Sequence, residues 1–360
     1  MKQGRSLKAA KAERVAKKRR AKRRKRALVL LVEVIIFCSL IGTGYIMTKY
    51  NKFQLNPFEG NDLQINEGVQ QEKYTTIALF GGDSREGQLE AGTHADTMMI
   101  VSINKENKEV RIVSIYRDLL TKKLDRKLNK ANHAYYHGGP LEAINMLNQN
   151  LDLDIRDYVT VDFKAMADAV DLLGGIEIDV TDAEAEELNN YIDETALVTG
   201  KKTKHIEGGM QTLDGVQTVT YARIRKNVGD DYKRTERQRL VIEKMLEKIK
   251  QTDMSTLNDI IDTVFPQVST SFELKELVQL ATGVLQYELK ETSGYPFETK
   301  DEMIKGLGSV VMSKDAKQSL VELHAFLYPN EEYTISETAE SIVQEINAFS
   351  VSTEQLDNQS

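Results

Sequence analysis

Arginines and carboxylates at the predicted ends of secondary-structure elements are the residues of this sequence best suited to carry chemistry. Arg117 and Asp118 close one predicted strand, Asp96 opens another, and Asp83 and Arg85 follow the first strand. Loops at strand ends are common places for functional sites on α/β scaffolds. Taken singly, however, an arginine and aspartate at a strand end are more typical of a solvated surface pair.

A second group of such residues is denser. Arg223 and Arg225 precede a predicted helix at 232–250, and Arg234 and Gln238, four positions apart, share one face of its first turns. Free backbone N–H groups and the helix dipole favour an anion at a helix N-terminus, so the cluster suits a phosphate. On residue types alone, a charged helix face with acidic partners explains it at least as well.

Standard catalytic signatures are missing from the part of the chain after residue 48, where Ser102-Ile103-Asn104-Lys105 fits S-x-x-K but lacks the partner motifs of that serine chemistry. This part contains no nucleophile elbow, HExxH, P-loop or dinucleotide-binding pattern. The sole cysteine, Cys38, lies before it, so disulfides and thiolate chemistry are excluded as well.

Apolar spacing after residue 73 alternates between the periods of strands and helices, which predicts a mixed α/β domain. No internal repeat is present. Predicted strands lie near 75–80, 97–103, 110–115, 176–180 and 310–311, and predicted helices near 140–150, 163–173, 232–250, 256–265, 273–286 and 314–327.

The N-terminal segment indicates a membrane anchor. Residues 1–26 carry 14 Lys or Arg against one acid, although the whole chain has a net charge of −7. Residues 27–47 contain only one charge, Glu33, and as a helix would span about 32 Å, enough for a bilayer. Positive residues stay inside, so we expect a cytoplasmic tail at 1–26, a transmembrane helix at 27–47, and an extracytoplasmic remainder.

The remainder is predicted to have three parts. Residues 48–72 lack periodicity and indicate an extracytoplasmic stalk, residues 73–328 form the folded domain, and the polar residues 329–360 form a flexible acidic tail. The short basic tail and the acidic exported part argue against nucleic-acid binding.

Eight motifs, in order and spacing, resemble the LytR-CpsA-Psr family. The resemblance covers about residues 74–245 and continues more weakly to about 328. The motifs are Asp83-Ser84-Arg85, Asp96-Thr97-Met98-Met99, Ser114 to Asp118, Lys130 to Tyr135 with Gly138-Gly139-Pro140, Leu172 to Gly175, Leu213-Asp214-Gly215, Tyr221 to Arg225 and Arg234 to Gln238.

The resemblance implies an α-β-α sandwich with a mixed central sheet, and an extracytoplasmic enzyme of Gram-positive bacteria. Such a phosphotransferase moves a glycopolymer, a teichoic acid or a capsular polysaccharide, from a polyprenyl pyrophosphate carrier to peptidoglycan. A regulatory protein that binds polyprenyl pyrophosphate without transferring anything is the alternative. An apolar groove for the carrier is expected between sheet and helices, lined from the helices at 140–173, although those residues are also typical of plain core.

The resemblance also implies roles for individual residues. Asp83 and Asp96 would bind Mg²⁺, and Asp231 would act nearby as acid, base or orienting group. This chain departs from the family pattern at Tyr116, where proline is usual, and at His94, where arginine is common. The pyrophosphate would be held by Arg117, Lys130, Arg223, Arg225, Arg234 and Gln238, with Arg85 as a further contact.

Overall fold

The computed structural model describes residues 42–59, 61–82 and 89–357. The predicted tail at 1–26, most of the predicted membrane segment at 27–47, Asp83 and Arg85 lie outside these residues. Residues 42–50 form helix α1, and the chain divides between Asn51 and Lys52 into two units. Within the described ranges, no helix is long and apolar enough to cross a membrane.

A seven-stranded mixed sheet forms the centre of the second unit, in the order β1-β10-β7-β2-β3-β4-β11. Strand β2 pairs antiparallel with β3 and parallel with β7, and β3 pairs antiparallel with β4. The strands of this sheet are β1 (Gln54–Leu55), β2 (Tyr74–Gly82), β3 (Ala95–Asn104), β4 (Glu109–Ile115), β7 (Asp157–Asp162), β10 (Val268–Thr270) and β11 (Glu288–Tyr295).

Helices and short strands complete the unit. Three two-stranded sheets consist of β5 (Leu120–Lys122) with β6 (Leu128–Lys130), β8 (Ile176–Val180) with β9 (Gly209–Leu213), and β12 (Thr299–Ile304) with β13 (Gly308–Ser313). The helices are α2 (Ala131–Leu151), α3 (Phe163–Leu172), α4 (Asp182–Thr199), α5 (Gly215–Tyr221), α6 (Asp230–Gln251), α7 (Met254–Val264), α8 (Leu274–Gly283), α9 (Ala316–Leu327) and α10 (Glu337–Asp357).

Apolar residues cover both faces of the central sheet because alternate side chains of a strand point to opposite faces. On one face, Ala78 and Phe80 of β2 join a core with α2 and α9, which includes Leu147 and Leu323. On the other face, Ile77 of β2 joins a core with residues of α6 and α8. The predicted mixed α/β class, with a central sheet flanked by helices, is confirmed.

Helix α2 begins at Ala131, nine residues before the predicted helix. It is kinked at Gly139, whose φ of 65° interrupts the helix just before Pro140. Proline cannot supply an interior helical N–H, so the break falls there. The N-terminus of α2 holds the chain that follows β4, because Asn132 N donates to Arg117 O and Ala131 N donates to Leu119 O.

The predicted strand at 176–180 is present as β8, but it pairs with β9 outside the central sheet. Its buried side, Ile176, Ile178 and Val180, packs in a separate core with Leu188 of α4 and Val216 of α5. The period of the sequence shows a strand without showing which sheet the strand joins.

The predicted stalk at 48–72 is packed against the domain from Lys52 onward. Strand β1 pairs with β10, and Phe53 packs on Phe265 at a ring-centroid distance of 4.0 Å. Asn66 is buried and donates to Asp152 Oδ1 at 2.5 Å. The folded unit therefore begins near Lys52 rather than at residue 73.

The prediction of a flexible tail at 329–360 is corrected by α10. Ala339, Ile342 and Val343 are buried, and they interrupt the polar sequence at helical spacing. The segment before α10 is fixed by Asp152, which accepts hydrogen bonds from Tyr333 Oη at 2.7 Å and from Ser336 N at 2.8 Å. A few apolar residues at helical spacing are thus enough to pack one side of this helix against the domain.

His324 should make stability depend on pH. Its ring is 4% exposed, stacks on Tyr333 at 3.5 Å and bonds through Nε2 to Leu151 O, and burial lowers its pKa to about 4. The unfolded chain then binds more protons between pH 7 and pH 4, so the free energy of unfolding falls as pH falls, by about 2 to 3 kcal/mol from this group. Urea unfolding of wild type and His324→Gln should show a shallower pH slope for the variant. The exposed His205→Gln is the control, and parallel curves for wild type and His324→Gln would contradict the expectation.

Candidate active site

The strand register brings Asp96 and Arg117 together. Met99 of β3 pairs with Ser114 of β4, and the same register continued outward places Asp96 opposite Arg117. Arg117 Nη1 donates to Asp96 Oδ1 at 2.9 Å. Of the first predicted group, Asp96, Arg117 and Asp118 therefore lie at one end of the sheet, where the beginning of β3 meets the end of β4.

The N-terminal turns of α6 supply the second group. Gly229 caps the helix with a φ of 98°, in the left-handed region that glycine adopts at no steric cost. Arg234 is 2% exposed, and its Nη2 lies 2.8 Å from Asp231 Oδ1 and 3.2 Å from Asp96 O. Helix α6 thus crosses the sheet end with its cationic face toward Asp96.

Arg117 lies at the centre of this arrangement. Its Nε is 3.6 Å from both Asp118 Oδ2 and Asp231 Oδ1. Burial alone would lower the pKa of Arg117, but the carboxylates, Asp96 first, raise it. Arg117 is therefore a permanent cation held between three carboxylates.

Burial and charge act in opposite directions on the neighbours of Arg117. Burial would raise the pKa of Asp96, but Arg234 and Arg117 outweigh it and hold the pKa below its ordinary value. For Arg234, burial dominates and lowers the pKa. Asp96 is consequently an anion at neutral pH, as a ligand for a cation must be.

Arg223 and Arg225 reach the same place from the segment between α5 and α6. The Arg223 guanidinium lies 4.4 Å from the centre of the Phe163 ring and donates to Thr195 Oγ1 at 3.1 Å. Arg225 Nη1 is 3.8 Å from Asp231 Oδ1. Gln238 donates to Ala222 O, and its Oε1 is buried without a hydrogen-bond partner among the described residues.

A cavity of about 450 Å³, which we call the charged cavity, lies between these side chains. Five basic and five acidic residues line it, so the formal charge of the lining is zero, although four of the basic residues are arginines whose side chains line the same cavity. Its lining residues are Asp96, Thr97, Arg117, Asp118, Phe163, Tyr191, Glu194, Arg223, Arg225, Lys226, Asp230, Asp231, Arg234 and Gln238.

Lys130 is not part of this lining. Its Nζ pairs with Asp118 Oδ1 at 3.0 Å, and it lines a neighbouring cavity of about 580 Å³. Asp83 and Arg85 lie outside the described residues. Phe163, Tyr191 and Glu194 received no role from the sequence, because they come from α3 and α4, which contain no arginine.

An apolar cavity of about 300 Å³ adjoins the charged one. Thr97, Phe163, Arg223 and Gln238 line both. The predicted groove at 140–173 is corrected in part, because α3 contributes to the lining through residues such as Met166, whereas none of the residues that line it comes from α2. Strands β2, β3 and β7, helices α5, α6 and α7, and the segment between α5 and α6 supply the rest.

The model of the LytR_cpsA_psr family matches residues 43–324. The chain belongs to this family.

Named relatives of this family member align along most of its length. Biofilm regulatory protein A of Streptococcus mutans is 27% identical over 342 residues, covering 85% of this chain and 82% of that protein. The polyisoprenyl-teichoic acid–peptidoglycan teichoic acid transferase TagU of Bacillus subtilis is 25% identical over 325 residues, covering 83% and 98%.

Solved structures show that this member has the LytR-CpsA-Psr fold. A structure described as TagT bound to LIIa-WTA has a TM-score of 0.58 and 21% identity, covering 74% of this chain and 96% of that one. A second, described as YwtF (TagT) with bound octaprenyl pyrophosphate lipid, has a TM-score of 0.55 and 19% identity, covering 76% and 99%.

The charged cavity of this LytR-CpsA-Psr protein contains carboxylates of the type that can contribute to a Mg²⁺ site. Carboxylate oxygens suit this hard ion, and Asp96 and Asp231 both line the cavity. Asp231 Oδ1 is buried and, although ion-paired, has no hydrogen-bond partner within the described ranges. No group of three or more His, Cys, Asp or Glu residues forms a metal site there among described residues alone. Asp96 would therefore need a further ligand, for which Asp83 is the sequence-based candidate.

Proposed function

We propose that this protein transfers a glycopolymer from a polyprenyl pyrophosphate carrier to peptidoglycan. The observation that carries the proposal is the junction of the charged and apolar cavities at Thr97, Phe163, Arg223 and Gln238. A polyprenyl pyrophosphate has the same two parts, a long apolar chain and a doubly phosphorylated head. The names of the TagU relatives and the ligands of the TagT structures support the same donor class.

The arginines would hold the pyrophosphate by charge and hydrogen bonding. Arg117, Arg223, Arg225 and Arg234 reach the charged cavity from three segments of the chain, which fixes the head group from several sides. Phosphoryl transfer depends mainly on positioning and on neutralising charge, so a covalent nucleophile is not needed. Gln238 would add its amide at the entrance to the apolar cavity.

A cation would complete the charge balance. Because the cavity lining has no net formal charge, a bound pyrophosphate would leave an excess of negative charge. We propose that Asp83 and Asp96 hold a Mg²⁺ ion, which would stabilise the negative charge on the phosphate oxygens.

The proposed reaction is one displacement at phosphorus. An acceptor hydroxyl oxygen forms a bond to the phosphorus next to the glycopolymer, and the bond from that phosphorus to the bridging oxygen breaks. Polyprenyl phosphate leaves with the bonding electron pair, and the hydroxyl proton passes to Asp231. Arg117 and Arg234 stabilise the charge that grows on the leaving oxygen.

The anchor at 27–47 and the extracytoplasmic position of the domain are part of this proposal. A polyprenyl carrier resides in a membrane, so a single membrane-spanning helix would keep the active site near its donor. The test below, carried out with each donor in turn, distinguishes a teichoic acid from a capsular polysaccharide.

The full-length protein in phospholipid vesicles should be incubated with a polyprenyl-pyrophosphate-linked polymer, peptidoglycan fragments and Mg²⁺. We expect a covalent polymer–peptidoglycan product and release of polyprenyl phosphate, both lost without Mg²⁺. Binding of the donor with no product from teichoic acid or capsular donors would support the regulatory alternative and overturn the transferase.

Met245→Trp should block the apolar cavity. Met245 is partly buried in its wall, and an indole would occupy space that the carrier needs. We expect binding of octaprenyl pyrophosphate to weaken about 10-fold or more, whereas inorganic pyrophosphate binds as before. Calorimetry with the two ligands measures the difference. Met254→Trp, at a position that is 79% exposed, is the matched control, and equal binding by both variants would exclude this cavity as the carrier site.

A further inference from the structure

A third cavity, which we call the polar cavity, adjoins the charged cavity through residues that do not line the apolar one. It has a volume of about 580 Å³ and shares Asp96, Arg117, Asp118 and Arg225 with the charged cavity. It shares no lining residue with the apolar cavity. The three cavities therefore form a series in which the charged cavity is in the middle.

Neutral polar side chains form most of the polar cavity outside its junction with the charged cavity. Asn129 of β6 and Asn132 and His133 of α2 line this part, together with the cationic Lys130. His133 Nδ1 is buried and has no hydrogen-bond partner within the residues that the structure describes. Amides and imidazoles both donate and accept hydrogen bonds, which matches the hydroxyl and acetamido groups of an amino sugar.

A flat aromatic pair stands at the edge of the same cavity. The His94 ring, which lines the cavity, stacks on the Tyr136 ring at 4.4 Å with an interplanar angle of 16°. Both side chains are exposed, Tyr136 by 38%. An exposed ring face can bury the apolar C–H face of a pyranose, whereas it offers nothing to a phosphate.

The geometry of displacement at phosphorus indicates where the acceptor sugar must bind. The attacking and leaving oxygens lie roughly in line on opposite sides of the phosphorus. The leaving group is polyprenyl phosphate, whose chain extends toward the apolar cavity. The attacking hydroxyl must then enter the charged cavity away from its junction with the apolar cavity, and the polar cavity meets the charged cavity at a separate set of residues.

We infer that the polar cavity is the acceptor site and binds an amino-sugar unit of the peptidoglycan glycan strand, packed on the His94–Tyr136 pair and hydrogen-bonded by Asn129, Asn132 and His133. This inference rests on the proposed transferase function. It assigns His94, which replaces a common arginine of the family, to sugar binding rather than to phosphate binding.

Direct binding tests the site without requiring activity. The full-length protein in lipid nanodiscs is titrated with the tetrasaccharide of β-1,4-linked N-acetylglucosamine, observed by saturation-transfer NMR. We expect Tyr136→Ala and His94→Ala to weaken binding about 5-fold each, because each removes half of the stacked pair. Tyr136→Phe keeps the ring and should bind like wild type. His205→Ala, at an exposed histidine outside the three cavities, is the matched control.

Kinetics then separate acceptor from donor. His94→Ala should raise KM for peptidoglycan fragments about 5-fold and leave KM for the lipid-linked donor unchanged. A raised donor KM with unchanged acceptor KM would assign the cavity to the donor glycan and overturn the inference. Loss of oligosaccharide binding by His205→Ala as well, or no binding by wild type, would also overturn it. If wild type binds the oligosaccharide through Tyr136 but transfers nothing, the polar cavity is a sugar-binding site and the transferase proposal fails.

Discussion

Arg117→Ala is expected to lower the transfer rate by a factor of about 10² to 10³, the usual loss when one positioned charge-stabilising group is removed. Arg117 donates to Asp96 and lies within 3.6 Å of Asp118 and Asp231. It is also shared by the charged and polar cavities, at the place where we propose that the acceptor meets the phosphorus. The measurement is the initial rate of polymer transfer in vesicles at saturating donor.

The effect should exceed the loss of one phosphate contact. Without Arg117, the carboxylates of Asp96, Asp118 and Asp231 face a pyrophosphate with one cation fewer, and like charges at these distances repel each other. The charge growing on the leaving oxygen would be opposed by the same carboxylates that Arg117 had neutralised. We therefore expect a lower rate and weaker binding of inorganic pyrophosphate.

Two variants make the result interpretable. Arg156→Ala removes an arginine that is 62% exposed and pairs with Asp154 outside the cavities, and it should transfer at the wild-type rate. Arg117→Lys keeps the charge but loses the planar fork of donors, so we expect an intermediate rate. Circular dichroism should show that all three variants are folded. A folded Arg117→Ala that retains more than a tenth of the wild-type rate would remove Arg117 from the catalytic centre.

The position of Asp96 opposite Arg117 follows from local sequence. Two β-rich runs joined by a short polar turn predict an antiparallel hairpin, and the start of one strand then lies beside the end of the next. The placement of Arg223, Arg225 and Arg234 needed the resemblance to a family, because residue types alone fit a solvated helix face. Their convergence depends on how α6 crosses the sheet, which no local pattern encodes.

The surroundings of Lys130 could not be inferred from its motif. The resemblance implies a phosphate contact, and the structure pairs Lys130 with Asp118 in the polar cavity, which adjoins the charged one. The strand β8 and the helix α10 show a related limit. The period of β8 predicts a strand, but its partner β9 lies more than 25 residues further along the chain. The apolar residues of α10 are too sparse to predict a helix from the pattern alone, and α10 packs on α2 and β5, which are distant in sequence. Such long-range packing follows from the whole structure rather than from a segment.

Asp152 provides the second large effect, on stability. It is fully buried at the C-terminus of α2, in a left-handed conformation with a φ of 51°. Its two oxygens accept hydrogen bonds from Asn66, Tyr333 and Ser336, which belong to the segments before β2 and before α10. A single carboxylate therefore ties both terminal segments of the folded unit to α2.

Asp152→Ala should lower the free energy of unfolding by about 3 kcal/mol, because it leaves several buried donors without an acceptor. Urea unfolding measures this loss. A protease that cleaves after glutamate should also cut faster at Glu331 and Glu332, next to Tyr333, once Tyr333 and Ser336 are released.

Two substitutions isolate the contribution of the carboxylate. Asp154→Ala removes a neighbouring aspartate whose carboxylate pairs with the exposed Arg156, and it should cost less than about 1 kcal/mol. Asp152→Asn tolerates the left-handed backbone and keeps one acceptor oxygen, so its loss should fall between those of the two alanine variants. Equal unfolding midpoints for Asp152→Ala and Asp154→Ala, with equal cleavage, would mean that α10 is held by its apolar face alone. A drop confined to Asp152→Ala would instead show that the C-terminal helix depends on a polar junction that sequence periodicity does not reveal.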